Sequence, residues 1–269
     1  GVPRGPVGFM SQPWQELLKH ADSEADRLGL QLALGSGPGW AGTGGPWVKP
    51  EQSMQHLVAS ETQVTGPTNF SAVLPQPKPR TPYFGLSPMT PEMKKEWETF
   101  YRDVAVLAYP TPAGNYQIPD VDEKALFYRA PYSSKPGVKP RLTADATVLP
   151  AEQCISSDKV IELTGKLALD GRFTWDVPAG NWTIVRLGRT LTGQTTRPAP
   201  VPGLGFESDK FDKAALDAHF ANFTAKLLKT TGEPKGNAKG FTTLHFDSWE
   251  MGSQNWSPNF RADFQRLRG

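Results

Sequence analysis

The stretch from Phe241 to Pro258 places acidic and aromatic side chains directly after an apolar run, and it is where this sequence could do chemistry. Residues 241–246 favour a β-strand, with Gly240 and Gly252 marking turns on either side. Glu250 lies on the loop after that strand, within a tryptophan-rich segment. In α/β barrels the carboxyl ends of the strands hold the reacting groups, so Glu250 is well placed to act.

The neighbours of Glu250 leave alternatives open. Asp247 is either a catalytic or ligand-binding residue or an acid that complements the following helix. That helix is predicted to begin with Ser257 as N-cap and Pro258 at its first position. Glu250 lies too far upstream to cap it, which favours a functional role. His245, inside the strand, is predicted to be a packed core histidine.

Size and composition exclude several classes of protein. The 269 residues carry a formal charge of +2 without a long basic run, which argues against nucleic acid as a partner. No apolar run is long enough to cross a bilayer, and the first residues lack a signal-peptide pattern, so neither a membrane span nor export is predicted. A single cysteine, Cys154, excludes an internal disulfide framework.

Eight tryptophans favour a ligand with a flat apolar face, such as a carbohydrate, because an exposed indole is costly unless something stacks on it. Trp40 and Trp47 lie in residues 35–47, GSGPGWAGTGGPW, which lack the spacing of a phosphate-binding loop. These glycines are predicted to let the main chain approach a ligand closely. The alternative for each tryptophan is a place in a core.

Periodicity near the start of the chain predicts a helix followed by a strand. Apolar residues share one face over residues 12–28, Ser11 can cap this helix and Gly29 can end it. Residues 30–34 then form a predicted buried strand.

A second helical segment follows Pro202 and leads into the strand at 241–246. Ser208 or Asp209 is its predicted N-cap, and Gly232 its end. Its predicted core positions are Leu216, His219 or Phe220, Phe223 and Leu227.

The middle of the chain has the pattern of β-structure. Gly, Pro, Asp and Asn separate short strand candidates at 103–109, 124–129, 159–163, 166–169, 173–177 and 182–187. Residues 178–181 are predicted to turn the last two candidates into a hairpin. Such spacing suits a β-sandwich.

The predicted fold is therefore α/β: part of a (β/α)8 barrel, in residues 1–50 and 203–269, interrupted by a large β-rich, sandwich-like insertion in residues 51–202. A closed barrel needs eight strand–helix units, and this sequence offers two or three. We expect a longer chain to supply the remainder of the barrel.

Several long segments resemble glycoside hydrolase family 106, the α-L-rhamnosidases. They are FMSQPWQELLKHADSEADRLGLQLALGSGPGWAGTGGPWVKPEQSMQ (9–55), GNWTIVRLGRTLTGQTTRPAP (180–200) with GLGFESDKFD (203–212), and HFDSWEMGSQNWSPNFRADF (245–264). The resemblance runs in order over nearly the whole chain. It implies an α/β barrel with a β-rich insertion, which hydrolyses terminal α-L-rhamnosides with inversion, assisted by calcium.

Inversion needs one carboxylic acid that protonates the leaving oxygen and one carboxylate that activates water. Carried over from the family, Glu250 in DSWEMG is the candidate for the general acid, and the base is expected from strands beyond the end of this chain. Glu207 and Asp209, in GFESDKFD, are candidates for holding sugar hydroxyls or the metal, with N-capping as the alternative. No calcium ligands are assigned.

The residues predicted to contact the sugar are Trp40, Trp47, Glu207, Asp209, His245, Asp247, Trp249, Asn255 and Trp256. The resemblance implies a rhamnose-containing glycan or glycoside as substrate, and a bacterial periplasmic or extracellular enzyme. The alternative is a non-catalytic carbohydrate-binding protein that uses the β-rich region and exposed tryptophans.

Overall fold

A computed structural model of the protein describes residues 5–114, 116, 118–127, 148–233, 239–246, 250 and 252–269. Its helices and longer strands, in chain order, are α1 (Gln12–Leu28), β1 (Gln31–Gly35), β2 (Gln55–Val73), α2 (Pro91–Thr99), β3 (Arg102–Pro110), α3 (Val121–Lys124), β4 (Ile161–Glu162), β5 (Arg172–Leu191), α4 (Lys213–Asn222), α5 (Thr224–Thr231), β6 (Gly240–His245) and α6 (Phe260–Arg268).

The chain is a mixed α/β structure that forms two compact units. The first unit comprises residues 1–55, 81–97 and 191–269, and the second comprises residues 56–80 and 98–190. None of the described helices is both long and apolar enough to span a bilayer. The complete barrel and the domain boundaries after residues 50 and 202 stay predictions.

The first unit is built on two parallel strands. β1 pairs with β6, with Gln31 opposite Gly240 and Gly35 opposite His245, so both strands end at the same edge. Burial of apolar side chains from α1, the α4–α5 segment and β6 stabilises this arrangement. The buried side chains are Leu18, Phe223, Leu227 and Phe241.

The first helix and strand lie where the sequence places them. The Ser11 hydroxyl accepts a 3.4 Å hydrogen bond from the Trp14 amide, and Gly29 ends α1 with φ 75°. The predicted burial of residues 30–34 is wrong, because β1 alternates between exposed and half-buried side chains.

The second predicted helix is divided at Phe223 into α4 and α5. Asp212 caps α4 by accepting a 3.0 Å bond from the Ala214 amide, so the predicted caps Ser208 and Asp209 are wrong. Ala215 and His219 face inward, whereas Leu216 is 53% exposed. At the end of the chain, α6 begins at Phe260 and follows Asn259 rather than Ser257.

The second unit contains a four-stranded sheet in the order β2-β5-β3-β4. β3 runs antiparallel to both β4 and β5. Its core consists of Leu74, Val106, Ala108, Leu163, Phe173, Trp175, Val177 and Ile184. Within the described part of this unit one sheet, rather than two facing sheets, carries the core.

The predicted hairpin at residues 178–181 is wrong, because β5 is one continuous strand. Its neighbour β2 is nearly as long and runs beside it past this point, where the Thr65 hydroxyl donates a 2.8 Å bond to the Asn181 side chain. The prediction of a strand at 124–129 is also wrong for residues 124–127, which the structure describes. Lys124 ends helix α3, and the next residues turn; residues 128 and 129 lie outside the described residues.

Candidate functional site

The loops that follow β1 and β6 begin side by side. The Ser36 amide donates a 2.9 Å hydrogen bond to the His245 carbonyl. Six residues later, a methyl group at Gly42 would lie 2.5 Å from Cζ of Phe246, so the Phe246 ring packs directly on glycine backbone. Two loops that are distant in sequence therefore meet at one strand edge.

Gly44 shows why this loop is rich in glycine. Its φ of +121° is one that other residues avoid. A methyl group there would also lie 2.8 Å from Oε1 of Glu207, from the Phe206 carbonyl and from Cγ2 of Thr196. The loop backbone therefore reaches a buried carboxylate that a side chain at this position would displace.

The segment 206–209 is buried because backbone bonds hold it on both sides. The Glu207 amide donates to the Gln194 carbonyl at 3.0 Å, and the Glu207 carbonyl accepts from Met54 at 3.1 Å. The Asp209 amide donates to the Gln52 carbonyl at 2.8 Å. Glu207 and Asp209 are consequently only 0% and 2% exposed.

Glu207 is paired with Lys210. The Lys210 ammonium lies 2.6 Å from Oε2 of Glu207, 2.5 Å from the Thr43 hydroxyl and 3.5 Å from the Ala41 carbonyl. Burial raises the pKa of Glu207 to about 8, against the opposing effect of Lys210. Lys210 thus ties the glycine-rich loop to the buried acid.

Asp209 is bound to the chain that follows β6. Its Oδ1 accepts bonds from Nε2 of Gln254 at 2.7 Å and from the Phe211 amide at 2.8 Å. Burial raises the pKa of Asp209, and the hydrogen bonds from Gln254 and Phe211 act in the opposite direction. N-capping of α4 is therefore not its role; it fixes the loop after β6 instead.

His219, on α4, also belongs to this region, although it was predicted only as one of two alternatives for a core position. Its Nδ1 accepts a 3.1 Å bond from the Gly44 amide, and its Nε2 lies 2.8 Å from the Ser36 carbonyl. The side chain is only 3% exposed. Its two partners lie about 180 residues away and leave no signal in the sequence.

A cavity of about 420 Å³ lies at the edge where the two strands end. Apolar side chains of Phe211, Leu216 and Phe246 line one part of it. The remaining lining residues are Thr43, Ser208, Asp209, Lys210, Asp212 and Lys213.

The predicted site residues divide into exposed residues and residues that pack in a core. Glu250 is exposed, four residues beyond Phe246. Trp40 is 50% exposed on the glycine-rich loop. Trp47 instead packs against His219 and Phe223, with ring centroids 5.6 and 6.1 Å apart, so it supports the loop from the core.

The remaining candidates follow β6 or form its end. His245 is exposed, so the expectation of a core histidine is wrong; it occupies the last position of β6, where the strand leaves the core. Trp256 is half-buried against Phe260, with centroids 5.4 Å apart, and the Asn255 amide donates to the Gln55 carbonyl. Asp247 and Trp249 lie outside the described residues.

The described residues contain no group of three or more His, Cys, Asp or Glu side chains that could hold a metal ion. Glu207 and Asp209 hold Lys210 and Gln254, respectively, rather than facing each other across an open site. Calcium remains a prediction from the resemblance, and no chemical step is assigned to it.

The strand-end cavity, the exposed acid and the mixed α/β fold agree with the class of glycoside hydrolases. Residues 2–269 match the family model of glycoside hydrolase family 106, alpha-L-rhamnosidase, and the chain belongs to this family. A rhamnosidase from Novosphingobium sp. PP1Y has a similar structure, with a TM-score of 0.71 and 26% sequence identity over 100% of this chain.

One curated relative is named for activity on a different sugar. It is a putative beta-glucuronidase from Formosa agariphila, 35% identical over 269 residues. The chain spans 21% of that relative and 36% of the Novosphingobium rhamnosidase chain. The activity of a complete enzyme is therefore a matter for proposal.

Proposed function

We propose that this chain supplies the proton donor and one wall of the sugar site of an inverting glycoside hydrolase that cleaves terminal α-L-rhamnosides. The observation that carries the proposal is the meeting of the loops after β1 and β6 at one strand edge. Ser36 bonds to His245 there, and Phe246 lines the adjoining cavity. Glu250 belongs to the second of these loops.

In this proposal Glu250 is the general acid that protonates the glycosidic oxygen as the bond to the anomeric carbon breaks. A water molecule attacks that carbon from the opposite face and gives its proton to a carboxylate base. Glu207 and Asp209 are buried and hold structural hydrogen bonds. We therefore assign the base to neither and place it outside the described residues.

The cavity suits a sugar that has an apolar edge. Phe211, Leu216 and Phe246 are 49%, 53% and 59% exposed, and such surfaces can pack against the methyl group of a 6-deoxy sugar. A uronic acid would instead need a cation for its carboxylate. The ammonium of Lys210 is already engaged by Glu207, Thr43 and Ala41, but the exposed Lys213 also lines the cavity. The proposal of rhamnose therefore rests on the apolar lining and on the family.

The carbohydrate-binding alternative finds no tryptophan platform in the described part of the second unit. Trp175 is 7% exposed, and it packs edge to face with the half-buried Trp182 at 5.3 Å. Both indoles belong to the core or its rim. The alternative therefore has no observation in its favour there.

The test is hydrolysis by the intact protein of an aryl α-L-rhamnoside and an aryl β-D-glucuronide, with the first-formed sugar followed by NMR. We expect turnover of the rhamnoside, with the β-anomer of rhamnose released first. Turnover of the glucuronide alone would contradict the sugar, and release of the α-anomer would contradict inversion. Saturable rhamnose binding without turnover would favour the carbohydrate-binding alternative.

A further inference from the structure

His219 contacts the glycine-rich loop, residues 35–47, near both of its ends. Its Nδ1 accepts from the Gly44 amide, and its Nε2 contacts the Ser36 carbonyl. An amide N–H can only donate, so Nδ1 carries no proton, and the ring proton on Nε2 is donated to Ser36. The neutral imidazole is therefore the form that makes both bonds.

The surroundings of His219 favour this neutral form. The ring lies between Trp47 and Phe223, with both centroid distances 5.6 Å. Burial lowers the pKa of His219; the contacts with Ser36 and Gly44 act to raise it, and the positive charge of Lys210 acts to lower it, with a net lowering. The nearby charged groups are Lys210 and its partner Glu207, whose Oε1 lies against Gly44.

We propose that His219 is a positioning residue of the sugar site, which fixes the glycine-rich loop while it is neutral and releases the Gly44 end when it is protonated. A protonated ring has only donors, so Nδ1–H and the Gly44 N–H would face each other without an acceptor. Thr43, next to Gly44, lines the cavity, and Trp40 lies on the same loop. The loop conformation therefore depends on one proton.

The effect on catalysis rests on the proposed function, but the effect on the loop does not. Amide hydrogen exchange of the loop, corrected for intrinsic rates, needs no substrate and reports the Gly44 bond directly. His219→Phe keeps an aromatic ring without either hydrogen bond. His219→Asn keeps an acceptor near the position of Nδ1 and does not titrate, so it is the matched control.

At pH 7.5 we expect the loop amides of His219→Phe to be protected from hydrogen exchange about five- to tenfold less than those of the wild type. This is the effect expected for the loss of one buried hydrogen bond. As pH falls below the ordinary histidine pKa toward the lowered pKa of His219, the wild-type loop should progressively lose protection, whereas His219→Asn should behave alike across this titration. Equal protection of the loop in wild type and His219→Phe at pH 7.5 would overturn the proposal. If His219→Phe does not fold, equal losses in wild type and His219→Asn over the acid titration would overturn it.

Kinetics give a second readout. In a protein that hydrolyses rhamnosides, His219→Phe should raise KM about fivefold and change kcat much less, because the loop binds sugar rather than reacting with it. Lack of hydrolysis in the wild type would contradict the proposed function and leave the exchange result intact.

Discussion

The ammonium of Lys210 lies 2.6 Å from Oε2 of Glu207, and this buried pair connects the glycine-rich loop to the segment that enters α4. Lys210 is 9% exposed and Glu207 is fully buried. On one side, the Lys210 ammonium binds Thr43 and Ala41 of the glycine-rich loop. On the other side, the backbone of residues 207–210 holds Asp209, which binds Gln254. Both strand-end loops therefore depend on this pair.

Lys210→Met should destabilise the protein by about 2–4 kcal/mol, because the buried carboxyl and the Thr43 hydroxyl lose a charged donor. Lys213→Met removes a neighbouring but exposed ammonium, so its effect should stay within about 0.5 kcal/mol. Denaturant unfolding measures both. Equal free energies of unfolding for the two variants would show that the pair does not hold the loop.

Glu207 should make stability fall as pH rises. Burial raises its folded-state pKa from 4.5 to about 8, so only the unfolded chain releases the proton between these values. The stabilisation is thus complete below pH 4.5 and lost as pH rises through about 8. Relative to Glu207→Gln, the wild type should lose at most about 1.4 kcal/mol per pH unit across this window.

Denaturant titrations of both proteins at several pH values measure this difference. A constant difference from pH 4.5 to pH 8 would mean that the acid titrates normally in the folded protein.

Gly44→Ala should destabilise the first unit by about 3 kcal/mol or more. Alanine disfavours the positive φ of this position, and its methyl group would also overlap Glu207 and Thr196. Gly180 is the matched control, with φ +110° and nothing within 4 Å of an added methyl group. Gly180→Ala should cost only about 1–2 kcal/mol. Similar losses in the two variants would show that close packing on Glu207 contributes nothing.

Asp103 should show the opposite pH dependence from Glu207. Burial acts to raise its pKa, but hydrogen bonds from Arg186 and Tyr101 outweigh burial, and the net pKa is lowered. The stabilisation is therefore present above the ordinary carboxyl pKa and is lost as pH falls through the lowered value. Asp103→Asn should weaken the protein at pH 7, and unfolding measurements near pH 2.5 should show a much smaller difference.

Local pattern predicted most elements of the fold. Ser11 and Gly29 bound α1 because capping and left-handed backbone are local preferences. The strand at 241–246 was recognisable from its β-prone residues. The prediction of a hairpin at 178–181 failed because β5 continues as one strand between β2 and β3, and turn-forming residues alone do not reveal strands that are distant in sequence.

The site was predictable only in part for the same reason. Strand-end position singled out Glu250, and the family resemblance gave it a role. Glu207 and Asp209 are buried by contacts with residues 52–54, 194 and 254, which are distant in sequence. His219 likewise forms its hydrogen bonds with the distant residues Ser36 and Gly44. Trp40 and Trp47 look equivalent in sequence, yet one is half exposed and the other packs on His219.

The role of Glu250 as proton donor is tested most directly by the dependence of Glu250→Gln on the leaving group. An alkyl α-L-rhamnoside needs protonation of its leaving oxygen, so the variant should lose about 10²–10⁴-fold in kcat/KM. A dinitrophenyl α-L-rhamnoside does not need it and should lose far less. Glu233→Gln, an exposed acid of the same unit, should match wild type on both substrates. An equal loss on both substrates, or no loss on the alkyl rhamnoside, would contradict the account.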